Sequence, residues 1–148
     1  MTYLPLAGIK ILSVEQYGAG PYGTMLLADL GAEIIKIEAP SMGGDVSRAT
    51  GPYFLGENDS QFFQTFSRGK KSLAIEIKTP EGRGMFEELV KSADAVANNL
   101  RGDQPAKMQL TYDDLKAINP KIVCAHLSAY GRDNERAAWP GYDYLMQA

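Results

Sequence analysis

Apolar runs of about five residues alternate with helix-patterned stretches along most of this chain, and that alternation limits its fold more than any other feature. Ile9–Val14 is rich in β-branched and apolar residues and is expected to form a buried strand. Gly20–Leu30 follows with good helix formers, and Gly31 marks its end. Glu33–Glu38 reads as a second strand, and Ser72–Ile77 as a third that alternates apolar with small or polar residues. Thr79 and Pro80 open a helix whose apolar face is Met85, Phe86, Leu89, Val90 and Ala93. Asp94–Ala97 is a short strand. Thr111 and Asp114 form a capping-box start to a helix that ends near Asn119-Pro120. Lys121–Leu127 is a further strand, and a last helix begins around Tyr144. Strands that alternate with helices predict an α/β fold, a Rossmann-like parallel sheet with helices on both faces. The stretch from Ala39 to Asn58 reads as a long loop, Gln61–Phe66 as a short apolar segment of open type, and Ser67–Lys71 as a basic turn.

One segment between the first strand and helix raises a specific question. Gly18-Ala19-Gly20-Pro21-Tyr22-Gly23 matches G-x-G-x-x-G, and Glu38 ends the next strand where a ribose-binding carboxylate would lie. Three details oppose a dinucleotide loop. Glu15-Gln16-Tyr17 separate the strand from the first glycine, Pro21 has no N–H for a phosphate, and Tyr22 is bulky. A tight strand-to-helix turn explains the same residues.

Composition narrows the function. The chain has 148 residues and a net charge of -3, which argues against nucleic acid and anionic membranes as partners. No apolar run approaches a membrane span, and the amino terminus lacks a signal-peptide pattern. Cys124 is the single cysteine and His126 the single histidine, so neither an internal disulfide nor a zinc site is expected, and a reducing cytoplasmic location is. Cys124 reads as packing, and His126, flanked by Ala125 and Leu127, as a hydrogen-bonded structural residue. Asp143 reads as a helix-start cap.

Several segments together carry a resemblance. In order they are PLAGIKILSVEQYGAGPYGTMLLADLGAEIIKIEAP, GD, GKKSLAIEIKTPEGR, ADAVANNLRG, INPKIVCAHLSAYG and PGYDYLMQA. In this order and spacing the chain resembles the N-terminal part of the family III CoA-transferases, a group related to the α-methylacyl-CoA racemases. The resemblance covers residues 1–148 as an N-terminal Rossmann-like CoA-binding portion. It implies a longer parent, an interlocked homodimer, acyl-CoA and a small carboxylic acid as substrates, and no permanently bound cofactor. It also implies a catalytic aspartate beyond Ala148 that takes up the acyl group covalently, and hence an inactive piece.

Carried over residue by residue, the resemblance implies coenzyme A contacts at Gly18 and Ala19, where some relatives have glutamine for Gly18. It implies further contacts along Ile75, Glu76, Ile77 and Lys78, and at Asn99, Leu100 and Arg101 for the adenine end. Lys107 stands where an arginine commonly meets phosphate, and loses the bidentate fork; Met108 is an apolar wall. Ser128, Ala129, Tyr130 and Gly131 match a last contacting loop, with Ser128 where some relatives carry lysine. Ala39 replaces a phosphate-contacting arginine, which Lys36, Arg48, Arg68, Lys70 or Lys71 would have to replace. A racemase reading is opposed by Tyr142 before Asp143, because a tyrosine is a poor base near neutrality. An NAD-dependent oxidoreductase is the alternative that takes the glycine loop literally.

Overall fold

The computed structural model describes residues 4–148; Met1, Thr2 and Tyr3 of the amino-terminal reading lie outside them. Strands β1 (Lys10–Val14), β2 (Glu33–Glu38), β5 (Lys70–Ala74), β6 (Ala95–Asn98) and β7 (Val123–His126) form one sheet in the order β5-β2-β1-β6-β7. Every neighbouring pair is parallel. Strands β3 (Phe54–Gly56) and β4 (Asp59–Ser60) form a separate antiparallel pair. The helices are α1 (Ala19–Asp29), α2 (Gln61–Ser67), α3 (Pro80–Val90), α4 (Gln104–Lys107), α5 (Tyr112–Leu115) and α6 (Asp143–Gln147).

Successive strand residues point to opposite faces, and the two faces bury different things. Leu12, Val14, Ile37 and Val96 point to one side, where Phe86 and Val90 of α3, Leu110 and Leu115 close the larger core. Ile11 and Ile34 point to the other side, under Leu27 and Ala28 of α1. The α/β expectation with helices on both faces therefore holds, as does the strand at Glu33–Glu38. Thr79 caps α3 by accepting from the Gly82 amide, and Thr111 and Asp114 make the expected capping box.

Several boundaries differ. The third parallel strand begins at Lys70 and ends at Ala74, so Lys70 and Lys71 belong to the ladder and Ile75–Ile77 lie beyond it. Of the expected basic turn, Ser67 ends α2, Arg68 and Gly69 form the turn, and Lys70 and Lys71 are strand. Gln61–Ser67 is a helix, because Ser60 accepts from the Phe63 amide at 3.0 Å and caps it. The long loop contains two short 3-10 turns, Pro40–Met42 and Val46–Ala49, as well as β3, and β4 follows directly after it. Met85 is 52% exposed, because the buried stripe of α3 runs through Gly82, Phe86 and Val90. The helix after Thr111 is only Tyr112–Leu115, and α4 had no signal of its own beyond Pro105 at its start.

Candidate functional site

The strand order reverses between β1 and β6, and in open parallel sheets ligands bind beyond the carboxyl ends at that point. Here two residues close the crevice. The Gln16 amide donates to Asn99 Oδ1 at 2.8 Å, and Asn99 Nδ2 donates back to the Gln16 carbonyl at 2.8 Å. A Cβ on Gly20 would stand 2.7 Å from Asn99 Cγ, closer than such contacts come. The middle glycine of the loop therefore makes room for a side chain of the protein itself. Gly18 precedes α1 with open space where a side chain would go.

Beneath the loop lies a group of buried charges, some on the α1 face of the sheet and some, Asp45 and Arg48, on the loop after β2. Lys36 and Glu38 of β2 share this face with Ile34, and the register places Lys70 beside Ile34 and Ser72 beside Lys36. Lys36 Nζ sits 2.7 Å from Asp45 Oδ2 and 3.6 Å from Glu15 Oε1. Lys70 Nζ lies 2.8 Å from Glu15 Oε1 and donates to the Pro21 carbonyl and Thr24 Oγ1 at 2.7 Å. The Tyr17 and Ser47 amides donate to Asp45 Oδ1. Arg48 grips both oxygens of Glu38 at 2.7 and 2.8 Å, Ser72 donates to Oε1, and the Arg48 guanidinium stacks 3.8 Å from the Phe63 ring centre.

Burial pushes the Glu38 carboxyl up, but hydrogen bonds from Arg48, Ser72 and the Asp45 amide outweigh it and hold it below the usual range. Burial likewise opposes Asp45, and the Lys36 ammonium overrides it to the same net effect. Burial wins at Lys70, whose ammonium titrates below an ordinary lysine despite Glu15.

This arrangement decides several expectations. Glu38 is engaged on every side, so it offers no free carboxylate to a ribose. Lys36 and Lys70 are buried and paired, and Arg48 is bound to Glu38. Arg68 pairs with Asp29 and Lys71 with Glu33 at the surface. Sequence reading missed Glu15, Asp45 and Lys70 as one unit. The only signal was a lysine set between isoleucines in β2, followed by Gly44-Asp45.

Among the described residues three neighbouring clefts open, the first of them bordering this charge group at Glu15, Glu38 and Asp45. The first has a volume of about 340 Å³ and runs over the carboxyl ends of β1, β2 and β5. Its walls include Ile75, Glu76, Ile77, Lys78, Leu100, Arg101 and Met108, seven of the expected contact residues. Met42 and Gln104 also line it, without having been expected. Ser41 Oγ donates to Glu76 Oε2 at its edge. The second, about 230 Å³, gathers Ala19, Asn99, Leu100, Arg101, Ser128, Ala129 and Tyr130. Trp139 packs edge-on against Tyr130, with centroids 5.9 Å apart, and completes its aromatic wall. The third, about 430 Å³, holds Lys107 and shares Ile77, Lys78 and Met108 with the first.

Gly18 and Gly131 line none of the three. Gly131 instead touches the site's frame. Its carbonyl oxygen would lie 2.0 Å from a Cβ on Gly102, so the two loops meet backbone to backbone. The Asn99 carboxamide is spent on Gln16, and the residue lines the second cleft.

His126 behaves as expected of a structural residue. Its Nδ1 lies 2.7 Å from Asn98 Nδ2, and burial, then Arg132, keeps it below the ordinary histidine value. Burial raises the Cys124 thiol, and its side chain packs on the larger core. Asp143 is the first residue of α6 rather than its cap, a position held by Tyr142 without a side-chain hydrogen bond, and it accepts from Gln147 Nε2 at 2.5 Å. Among the described residues no helix is long and apolar enough to cross a membrane.

Known proteins match this arrangement closely. The chain is 39% identical over 148 residues to the succinate–glutarate CoA-transferase of Agrobacterium fabrum, covering 97% of this chain and 37% of that protein. It is 38% identical to the human succinyl-CoA:glutarate CoA-transferase, covering 97% of this chain and 32% of the relative. The crystal structure of a CAIB/BAIF family protein from Brucella suis superposes with a TM-score of 0.86 at 36% identity, over 97% of this chain and 38% of that one. The chain thus spans roughly a third of the length of these relatives. The family model for CoA-transferase family III matches residues 6–148, which hold the parallel sheet, the Gln16–Asn99 closure and all three clefts, and the chain belongs to that family.

Proposed function

We propose that this chain is the N-terminal, CoA-binding portion of an enzyme that moves coenzyme A from an acyl-CoA to a carboxylic acid. The observation that carries the reading is the first cleft. In a member of this family, seven residues expected to touch the ligand wall one groove at the carboxyl ends of the strands. Apolar Ile75, Ile77, Leu100 and Met108 suit the pantetheine arm, and Lys78, Arg101 and Lys107 suit phosphates at its rim. Coenzyme A acts as a substrate, with no permanently held cofactor.

The chemistry needs a carboxylate nucleophile, which we place in an aspartate beyond Ala148. Its oxygen attacks the thioester carbonyl, the C–S bond breaks, and CoA thiolate leaves behind a mixed anhydride. The thiolate then attacks the aspartyl carbonyl and releases the donor acid. The acceptor carboxylate displaces the thiolate in turn, and the thiolate finally takes the new acyl group and frees the aspartate. On this reading the 148-residue chain alone binds but does not turn over, and the whole enzyme works as an interlocked homodimer in the cytoplasm.

The test is exchange of labelled CoA between an acyl-CoA and a panel of dicarboxylic and monocarboxylic acids, with the full-length protein. Exchange with at least one acid supports the reading. No exchange across the panel, with acyl-CoA binding intact, overturns it.

A further inference from the structure

One carboxylate reaches polar side chains that line all three clefts. Lys107 Nζ donates to Asp103 Oδ2 at 2.6 Å, and Gln104 Nε2 donates to the same oxygen at 2.8 Å. Arg101 Nε stands 3.5 Å from Asp103 Oδ1. Arg101 lines the first and second clefts, Gln104 the first, and Lys107 the third, while Asp103 itself lines none. The Asp103 side chain is 15% exposed, whereas Arg101 and Lys107 are 48% and 65% exposed. Its Oδ1 is buried with no hydrogen-bond partner.

These positions set up a competition. Arg101 and Lys107 face solvent at the rims of the clefts and are the cations an anionic ligand group would meet. Each already faces the same carboxylate from behind. Asp103 is tethered by its own main chain, whose amide donates to the Ala137 carbonyl at 3.3 Å, so it cannot diffuse away. A phosphate arriving at these cations must share them with a fixed negative charge, and that charge also repels it.

We propose that Asp103 is a built-in counter-ion that competes with a phosphate at the nucleotide end of acyl-CoA for Arg101 and Lys107. It makes this chain hold its ligand more loosely than its cations alone would. The proposal rests on reading the clefts as the coenzyme A site.

Isothermal titration of the full-length protein and its D103N variant with CoA, dephospho-CoA and pantetheine tests it. D103N keeps the shape and removes the charge. It is expected to bind CoA about three- to five-fold tighter at low ionic strength, and the gain is expected to shrink as salt screens it. The gain is expected to be confined to the phosphate-bearing ligands, so pantetheine shows none. D103S, which removes the charge with a residue suited to a helix start, is expected to give the same gain if D103N folds poorly. Equal or weaker CoA binding in folded variants, or a gain shared by pantetheine, overturns the counter-ion role while leaving the CoA site intact. Absence of CoA binding in wild type and variants alike overturns both readings.

Discussion

Gln16 and Asn99 exchange two hydrogen bonds of 2.8 Å and so pair like ladder residues beyond the ends of β1 and β6. A side-chain amide thereby fills the crevice where a dinucleotide fold would seat its pyrophosphate. Gly20 lies against it with no room for a methyl group. Asn99→Ala leaves both main-chain groups of Gln16 without their partner and is expected to cost about 1–3 kcal/mol. Gly20→Ala is expected to destabilise by a similar amount, about 1–3 kcal/mol, through overpacking. The double variant should cost less than the sum, because alanine at position 99 removes Cγ and Oδ1, two of the three atoms that crowd the new methyl, and leaves only its Cβ at 2.8 Å. Urea denaturation of the four proteins measures this, and strict additivity would refute the contact.

Lys70 holds Glu15 at 2.8 Å in a site where both side chains are nearly sealed from water. Lys70→Met removes the ammonium and leaves the Glu15 carboxylate with Lys36 as its remaining cation, at 3.6 Å. A loss of about 3–5 kcal/mol is expected. A loss under about 1 kcal/mol, the scale of an exposed pair, would show that this region is open to solvent.

Glu38 predicts an acid limb of stability. Its carboxyl titrates lower in the fold than in the unfolded chain, because Arg48, Ser72 and the Asp45 amide overcome burial. The unfolded state therefore binds more protons in that window, and stability rises with pH there. The contribution is complete above about pH 5 and is lost as pH falls through the lower folded pKa. Thermal melts of wild type and Glu38→Gln should differ most near neutrality and converge in acid. A constant gap from neutrality to acid would contradict this.

Ser60 both starts α2 and ties it to the preceding loop, accepting from the Phe63 amide at 3.0 Å and donating to the Ser47 carbonyl at 2.5 Å. Ser60→Ala removes a cap and one of the two hydrogen bonds to the Ser47 carbonyl, which keeps the Thr50 amide at 3.1 Å, for about 1–2 kcal/mol. Ser60→Thr should restore most of the cap. Chemical denaturation of the pair distinguishes a cap from mere packing.

Lys107 offers a single ammonium where a planar fork would grip a phosphate on two sides. If the third cleft receives a phosphate of coenzyme A, Lys107→Arg should tighten CoA binding by about two- to five-fold. Lys107→Ala should weaken it and flatten its salt dependence. Calorimetric titration across ionic strength reads both, and identical salt slopes would place the phosphate elsewhere.

The sequence by itself determined the alternation of elements, because apolar periodicity and the caps at Thr79 and Thr111 are local signals that depend on neighbours a few residues away. It also placed in order the segments that wall the clefts, since those segments carry recognisable side chains wherever they fall. It could not show what the glycine loop is for. Gly20 answers to Asn99, and the partners are separated by most of the sheet in sequence. Nor could it distinguish Lys70 in a buried ion pair from Lys71 at the surface, two adjacent lysines whose fates are set by the pleat. The joining of Glu15, Lys36, Asp45 and Lys70 required the parallel register of β2 and β5 and the return of the loop after β2. Those contacts are long-range, their charges are stable only when brought together out of water, and tertiary structure alone decides that meeting.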